Sequence, residues 1–255
     1  MTVCIALRSH GYEVTDMDKL TFVSVQRIIS ICDRMLTYPD YAVDDIAFKK
    51  LQVHPRWRAM YSANDIGPVT PMARFIENYL RNKEGLYEEV TEAFRLAFHS
   101  YVQRLAVDSV LGHYNYTLDQ WKRDGLNNFG QEEFARVNRL IERLYTGVQF
   151  LVYGFEPSGQ GHLFTIQEDF TQGDVCVKID PHDIDGFSIV GSGTIAGLGA
   201  LLRKILPIDN IDMLTYRICE AKLFAEKAPG VGKGTILSIL ECVGPVACSP
   251  FSYQS

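Results

Sequence analysis

Apolar residues run without a break from Val3 to Leu7, behind a single hydroxyl at Thr2. A short, partly β-branched run of this kind predicts a strand over residues 2–7 buried on both faces. Residues 8–20 turn polar, with Gly11 and three acids, and predict an insertion loop. Residues 21–32, rich in Val, Ile, Phe and Thr, predict a second strand region, in which Gln26-Arg27 allows a bulge or a split into two strands. Pro39 and neighbouring acids put a turn over residues 38–45, and residues 48–53 and 57–62 predict a hairpin about His54-Pro55.

The period then changes. From about residue 70 to 111, Phe75, Tyr79 and Leu80 recur at helical spacing, as do Val90, Phe94, Ala97, Tyr101, Leu105 and Val110. Pro71 suits a first helical turn, and Gly85 divides the stretch into two helices. Residues 132–145 predict a third helix, with Phe134, Val137, Ile141 and Leu144 on one face. Short strands follow over 148–155, 162–167, 175–179 and 187–190, separated by turn residues such as those of 157–161 and 172–174. Helices over 194–205 and 211–227, a strand over 235–242 and a loose tail over 244–255 complete the chain. Strands and helices come in groups and do not alternate, which predicts an α+β fold: two sheets face to face, helix pairs outside, one domain over 1–255.

Composition narrows the function. A formal charge of −6 and no basic cluster argue against a nucleic-acid partner. The six cysteines form no C-x-x-C pair, so no metal or cofactor signature is visible, and their low density argues against a disulfide-stapled secreted domain. The opening apolar run ends at Arg8, too short for a signal peptide, and no run reaches the length of a membrane span. The expectation is a cytoplasmic protein without a membrane partner. Residues 228–235 contain Gly232-Lys233-Gly234-Thr235, but the first glycine of a phosphate-binding loop is missing and a strand follows, so the segment reads as a turn.

Four segments carry a resemblance: Met1-Thr2-Val3-Cys4-Ile5-Ala6, then Cys32-Asp33-Arg34-Met35-Leu36-Thr37, then Phe48-Lys49-Lys50-Leu51, and Val190-Gly191-Ser192-Gly193. Their order resembles the proteasome β-subunits and the related bacterial ATP-dependent protease subunit, which are N-terminal-nucleophile hydrolases. The resemblance implies a four-layer αββα sandwich and a threonine-type peptidase or amidohydrolase. A threonine hydroxyl is a weak nucleophile, but the free α-amine of a terminal residue, with a pKa of about 7.7–8.0, can take its proton. Thr2 would therefore act once methionine aminopeptidase has removed Met1. By the same resemblance Lys50 would stand beside Thr2, Asp33 would hold Lys50, Ser192 would bond near the amine, and the backbone N–H at Tyr61 would be the oxyanion donor. A peptide or amide substrate and a homo-oligomeric ring are implied too, and no cofactor.

Each segment also has an ordinary reading. Asp33-Arg34 can be a surface ion pair, Lys49-Lys50 a solvated pair on a strand, and Gly-Ser-Gly a helix-capping turn. The spacing from Thr2 to Asp33 is about twice the family's. Tyr61 stands where the family has glycine, and residues 228–232 lack its late Asp and Ser. These departures support an alternative, a catalytically inactive proteasome-like structural or binding subunit. Cys4, two residues along the same strand face, is a lesser rival nucleophile, because only a terminal residue can use its own amine.

Overall fold

A computed structural model of the chain describes residues 2–16, 21–37, 42–43, 48–169, 176–202, 211–243 and 247–254. In chain order the strands and helices are β1 (Val3–Asp16), β2 (Thr21–Asp33), the short β3 (Leu36–Thr37) and β4 (Ala42–Val43), β5 (Lys50–His54), β6 (Trp57–Ala63), α1 (Val69–Leu80), α2 (Tyr87–Ser109) and α3 (Leu118–Ile141). They continue with β7 (Val148–Phe155), β8 (Gly161–Asp169), β9 (Cys176–Pro181), β10 (Phe187–Gly191), α4 (Thr194–Leu202), α5 (Ile211–Ala225), β11 (Thr235–Val243) and β12 (Ala247–Gln254). The fold is α+β with two five-stranded antiparallel sheets, ordered β10-β1-β2-β11-β12 and β5-β6-β7-β8-β9. No described helix is long and apolar enough to cross a membrane.

Three apolar seams follow from strand alternation. On β1, Val3, Ile5 and Leu7 meet Leu214, Ile218 and Ala221 of α5 and Leu201 of α4. The alternate residues Cys4 and Ala6 face the second sheet, against Met60, Leu151 and Tyr153. The other face of that sheet, through Trp57, Phe150 and Phe164, packs on Ile76 of α1 and Phe94 and Phe98 of α2. The opening run is thus buried on both faces, as its unbroken apolarity predicts.

Four expectations are corrected. Residues 8–16 do not loop out. They extend β1 and pair with β2 in continuous register from Arg8↔Ile28 to Val14↔Phe22, because backbone pairing in a long hairpin does not require apolar side chains; residues 17–20 lie outside the described residues. β2 is accordingly one strand, unbroken at Gln26-Arg27. The tail is not loose over residues 247–254, which form β12 on the edge of the first sheet, where Pro250 sits opposite Leu240 and costs the least pairing. Helix also begins earlier than 132. α3 starts at Leu118 behind a reciprocal cap, in which Thr117 Oγ1 accepts from the Gln120 N–H and Gln120 Oε1 accepts from the Thr117 N–H. It breaks at Gly130, with φ at +79° and ψ at 168°, a conformation open only to glycine. Its two arms close on a satellite cluster of Trp121, Phe134 and Val137 with Val110 and Leu111.

Candidate active site

The first two strands set the geometry. Cys4 pairs with Cys32, so Thr2 and Asp33, each one or two residues beyond that pair, emerge at the same end of the sheet. The Thr2 hydroxyl donates to Asp33 Oδ1, and the Val3 N–H donates to the same oxygen at 3.0 Å. Asp33 is wholly buried, and its other oxygen accepts from the Gly232 N–H at 3.0 Å and the Met35 N–H at 3.4 Å. Four donors from three segments therefore hold one carboxylate beside one hydroxyl.

The cation at this centre is Lys49. Its Nζ donates to Thr2 Oγ1 and reaches Asp33 Oδ1 at 3.0 Å. The side chains of Lys49 and Asp33 are 3 % and 0 % exposed, so the pair is taken out of water and must be closely matched to exist. Lys50, the expected partner of Thr2, is placed elsewhere. It points between the sheets and donates to the Ser30 carbonyl at 2.8 Å, Ser30 Oγ at 3.1 Å and Ser238 Oγ at 2.5 Å. Tyr153 completes that cluster, its hydroxyl 2.7 Å from Ser30 Oγ. Burial pushes Lys50 down to about 8 and Tyr153 up to about 12.

The Gly-Ser-Gly turn after β10 lies against Thr2 as expected, but on its carbonyl. Ser192 Oγ donates to the Thr2 carbonyl at 3.3 Å and the Gly193 N–H donates to it at 3.4 Å. Gly191, with φ at +102°, has no room for a side chain, since a Cβ there would overlap the Thr2 carbonyl. The late turn read from residues 228–232 also reaches the site, through the Gly232 N–H on Asp33 and Val231 in the core under α5. Its contribution is a backbone amide, which no side-chain pattern announces.

Tyr61 comes to the same end by a different contact. Its carbonyl accepts from Cys4 Sγ at 3.4 Å, and its side chain turns the other way, into the cluster under α1. β5 pairs with β6 only as far as Lys50↔Met60, so Tyr61 has no β5 residue opposite it. A pocket of about 340 Å³ opens beside it, with Leu51, Tyr61, Val69 and Ala73 as an apolar floor and Arg74 and Glu77 of α1 among the exposed lining residues. Phe48, the neighbour of Lys49, lines the same pocket and is 61 % exposed. No group of three His, Cys, Asp or Glu side chains suited to a metal ion occurs among the described residues.

No protein-family model matches the chain, and no curated protein matches it. The functional reading therefore stands on the chemistry of the site.

Proposed function

We propose that the chain is a proteasome-like N-terminal-nucleophile hydrolase with a four-layer αββα sandwich, which cleaves peptide or other amide bonds through an acyl ester on Thr2 after Met1 has been removed. The observation that carries this reading is the buried triangle of Thr2 Oγ1, Asp33 Oδ1 and Lys49 Nζ. A lone threonine on a strand end needs no ammonium on its hydroxyl and no buried ion pair beneath it.

In the proposed reaction the freed α-amine of Thr2 takes the hydroxyl proton as Oγ1 attacks the amide carbon. Negative charge then grows on Oγ1 before attack and on the substrate oxygen after it. Lys49 stabilises the first, and Asp33 keeps its ammonium aimed at Oγ1. The Tyr61 N–H is the proposed donor to the second, because β5 ends short of it. The amine returns the proton to the leaving nitrogen, and water then hydrolyses the ester. Ser192 and Gly193 act by holding the Thr2 carbonyl, which fixes the rotation of the nucleophile about its backbone. The pocket beside Tyr61 would receive an apolar substrate side chain, with Arg74 and Glu77 at its open side. A cytoplasmic location and a ring of identical copies belong to the same proposal.

The second reading, an inactive subunit of this type, gains a structural observation beside the departures in sequence: Thr2 is only 2 % exposed. Hydrolysis of a panel of fluorogenic peptide amides by the wild-type chain and Thr2→Ala separates the two. Turnover that vanishes in Thr2→Ala supports the hydrolase. No turnover in either supports the inactive subunit, and equal turnover in both removes Thr2 from the chemistry.

A further inference from the structure

Below the Thr2 centre lies a second group of reactive side chains that the proposed hydrolysis does not use. Cys4 and Cys32 are directly opposite each other in the β1–β2 register, both free and both wholly buried. Opposed residues of an antiparallel pair have Cα atoms about 4.5 or 5.5 Å apart, inside the roughly 4.4–6.8 Å that a disulfide spans. Both side chains face the second sheet, where the Lys50 ammonium is held by Ser30 and Ser238. No carboxylate stands against Lys50 among the described residues.

We propose that Cys4 and Cys32 form a peroxide-sensitive dithiol, with Cys32 the attacking sulfur and Cys4 the resolving one. The Cys4 S–H donates to the Tyr61 carbonyl at 3.4 Å. The Cys4 side chain opposite, with the charge on Lys50 adding less, draws the Cys32 thiol down against the opposing effect of burial, while burial pushes Cys4 up. The Cys32 thiolate attacks one oxygen of hydrogen peroxide and the O–O bond breaks, leaving a sulfenic acid and hydroxide. Cys4 sulfur then attacks the Cys32 sulfur, the S–O bond breaks, and the departing oxygen leaves as water. Two thiols are oxidised and one peroxide becomes two waters. Full burial admits a molecule as small as peroxide far more readily than glutathione disulfide. Because Thr2 lies two residues and Asp33 one residue outward from this pair, the cross-link forms under the candidate nucleophile, yet it can be read without any hydrolytic activity.

The test is peptide mapping of the native full chain after hydrogen peroxide, at a dose that oxidises the half-exposed Met213 to its sulfoxide, followed by alkylation in denaturant and trypsin. The expected result is one species joining the peptide that ends at Arg8 to the peptide that ends at Arg34, lighter by two hydrogens than the two thiols. In Cys4→Ala the expected product is sulfinic acid on Cys32, since no resolving thiol remains. Recovery of Cys4 and Cys32 as alkylated thiols beside oxidised Met213 would overturn the proposal, as would oxidation of both sulfurs without a cross-link. An equal cross-link yield with glutathione disulfide would overturn the claim that burial selects peroxide.

Discussion

Two adjacent lysines at the start of β5 lie in opposite environments, and the difference decides which of them acts on Thr2. Lys49 Nζ bonds Thr2 Oγ1 and Asp33, whereas Lys50 Nζ bonds, among the described residues, only oxygens of Ser30 and Ser238. Lys49→Arg, which keeps a charge against Asp33 but moves it off the hydroxyl, is expected to lower the rate of Thr2 acylation by about 10²-fold or more. Lys50→Met is expected to leave that rate within about threefold of wild type; rapid-quench labelling with a β-lactone measures both. Lys50 has a stability signature of its own. Its folded value of about 8 lies below an unfolded value of about 10.4. Below pH 8 both states are charged and the burial cost, about 3 kcal/mol, is present in full. Between about pH 8 and 10.4 the unfolded chain holds more proton than the folded one, so this group makes stability rise with pH. Lys50→Met is therefore expected to be more stable than wild type by ~1–3 kcal/mol at pH 7, with the gap closing towards pH 10 in denaturant titrations. The family resemblance implies a lysine near Thr2, but successive residues take opposite sides of an extended chain, and a one-residue difference in register exchanges their roles. Asp33, Thr2 and Ser192 are legible because they end elements with strong signals. Lys49 and the Gly232 amide are not, because only tertiary contacts choose them.

Among the elements, α3 shows how a local break shapes a unit. Gly130 has a backbone conformation available to glycine alone, although nothing within 4 Å would obstruct a Cβ. Gly130→Ala is thus a test of dihedral strain by itself, expected to cost ~1–3 kcal/mol locally. The expected readout is loss of the packing between Trp121 and Phe134, whose rings stack at 5.5 Å, seen as a red shift in Trp121 fluorescence in a Trp57→Phe background. The first arm of α3 escapes a search for apolar period because residues 118–129 are mostly polar, though the Thr117–Gln120 capping pattern was present to mark its start. The polar half of β1 escapes for a related reason. Residues 8–16 carry a strand's backbone pairing without a strand's apolar signal, and the hairpin partner β2 supplies what the local sequence does not. The hairpin of β5 and β6, by contrast, lies within two residues of its expected ends, since Pro55 and the flanking apolar runs are local.

Across the molecule, three apolar seams hold two sheets and two helix pairs in register, while α3 rests on its own small cluster. Amide hydrogen exchange is expected to follow that division. The α3 arms should exchange through local opening well before β1, β2 and β7, and equal protection throughout would contradict a separate satellite core. The same seams deliver Thr2, Asp33 and Lys49 from three separate segments to one point at the end of the first sheet. The most direct test of the claim that this point is catalytic is the intact mass of the purified chain before and after a β-lactone. The account predicts a chain that begins at Thr2 and gains one acyl group, with no gain in Thr2→Ala. A chain that keeps Met1, or one that begins at Thr2 and stays unlabelled, would contradict it.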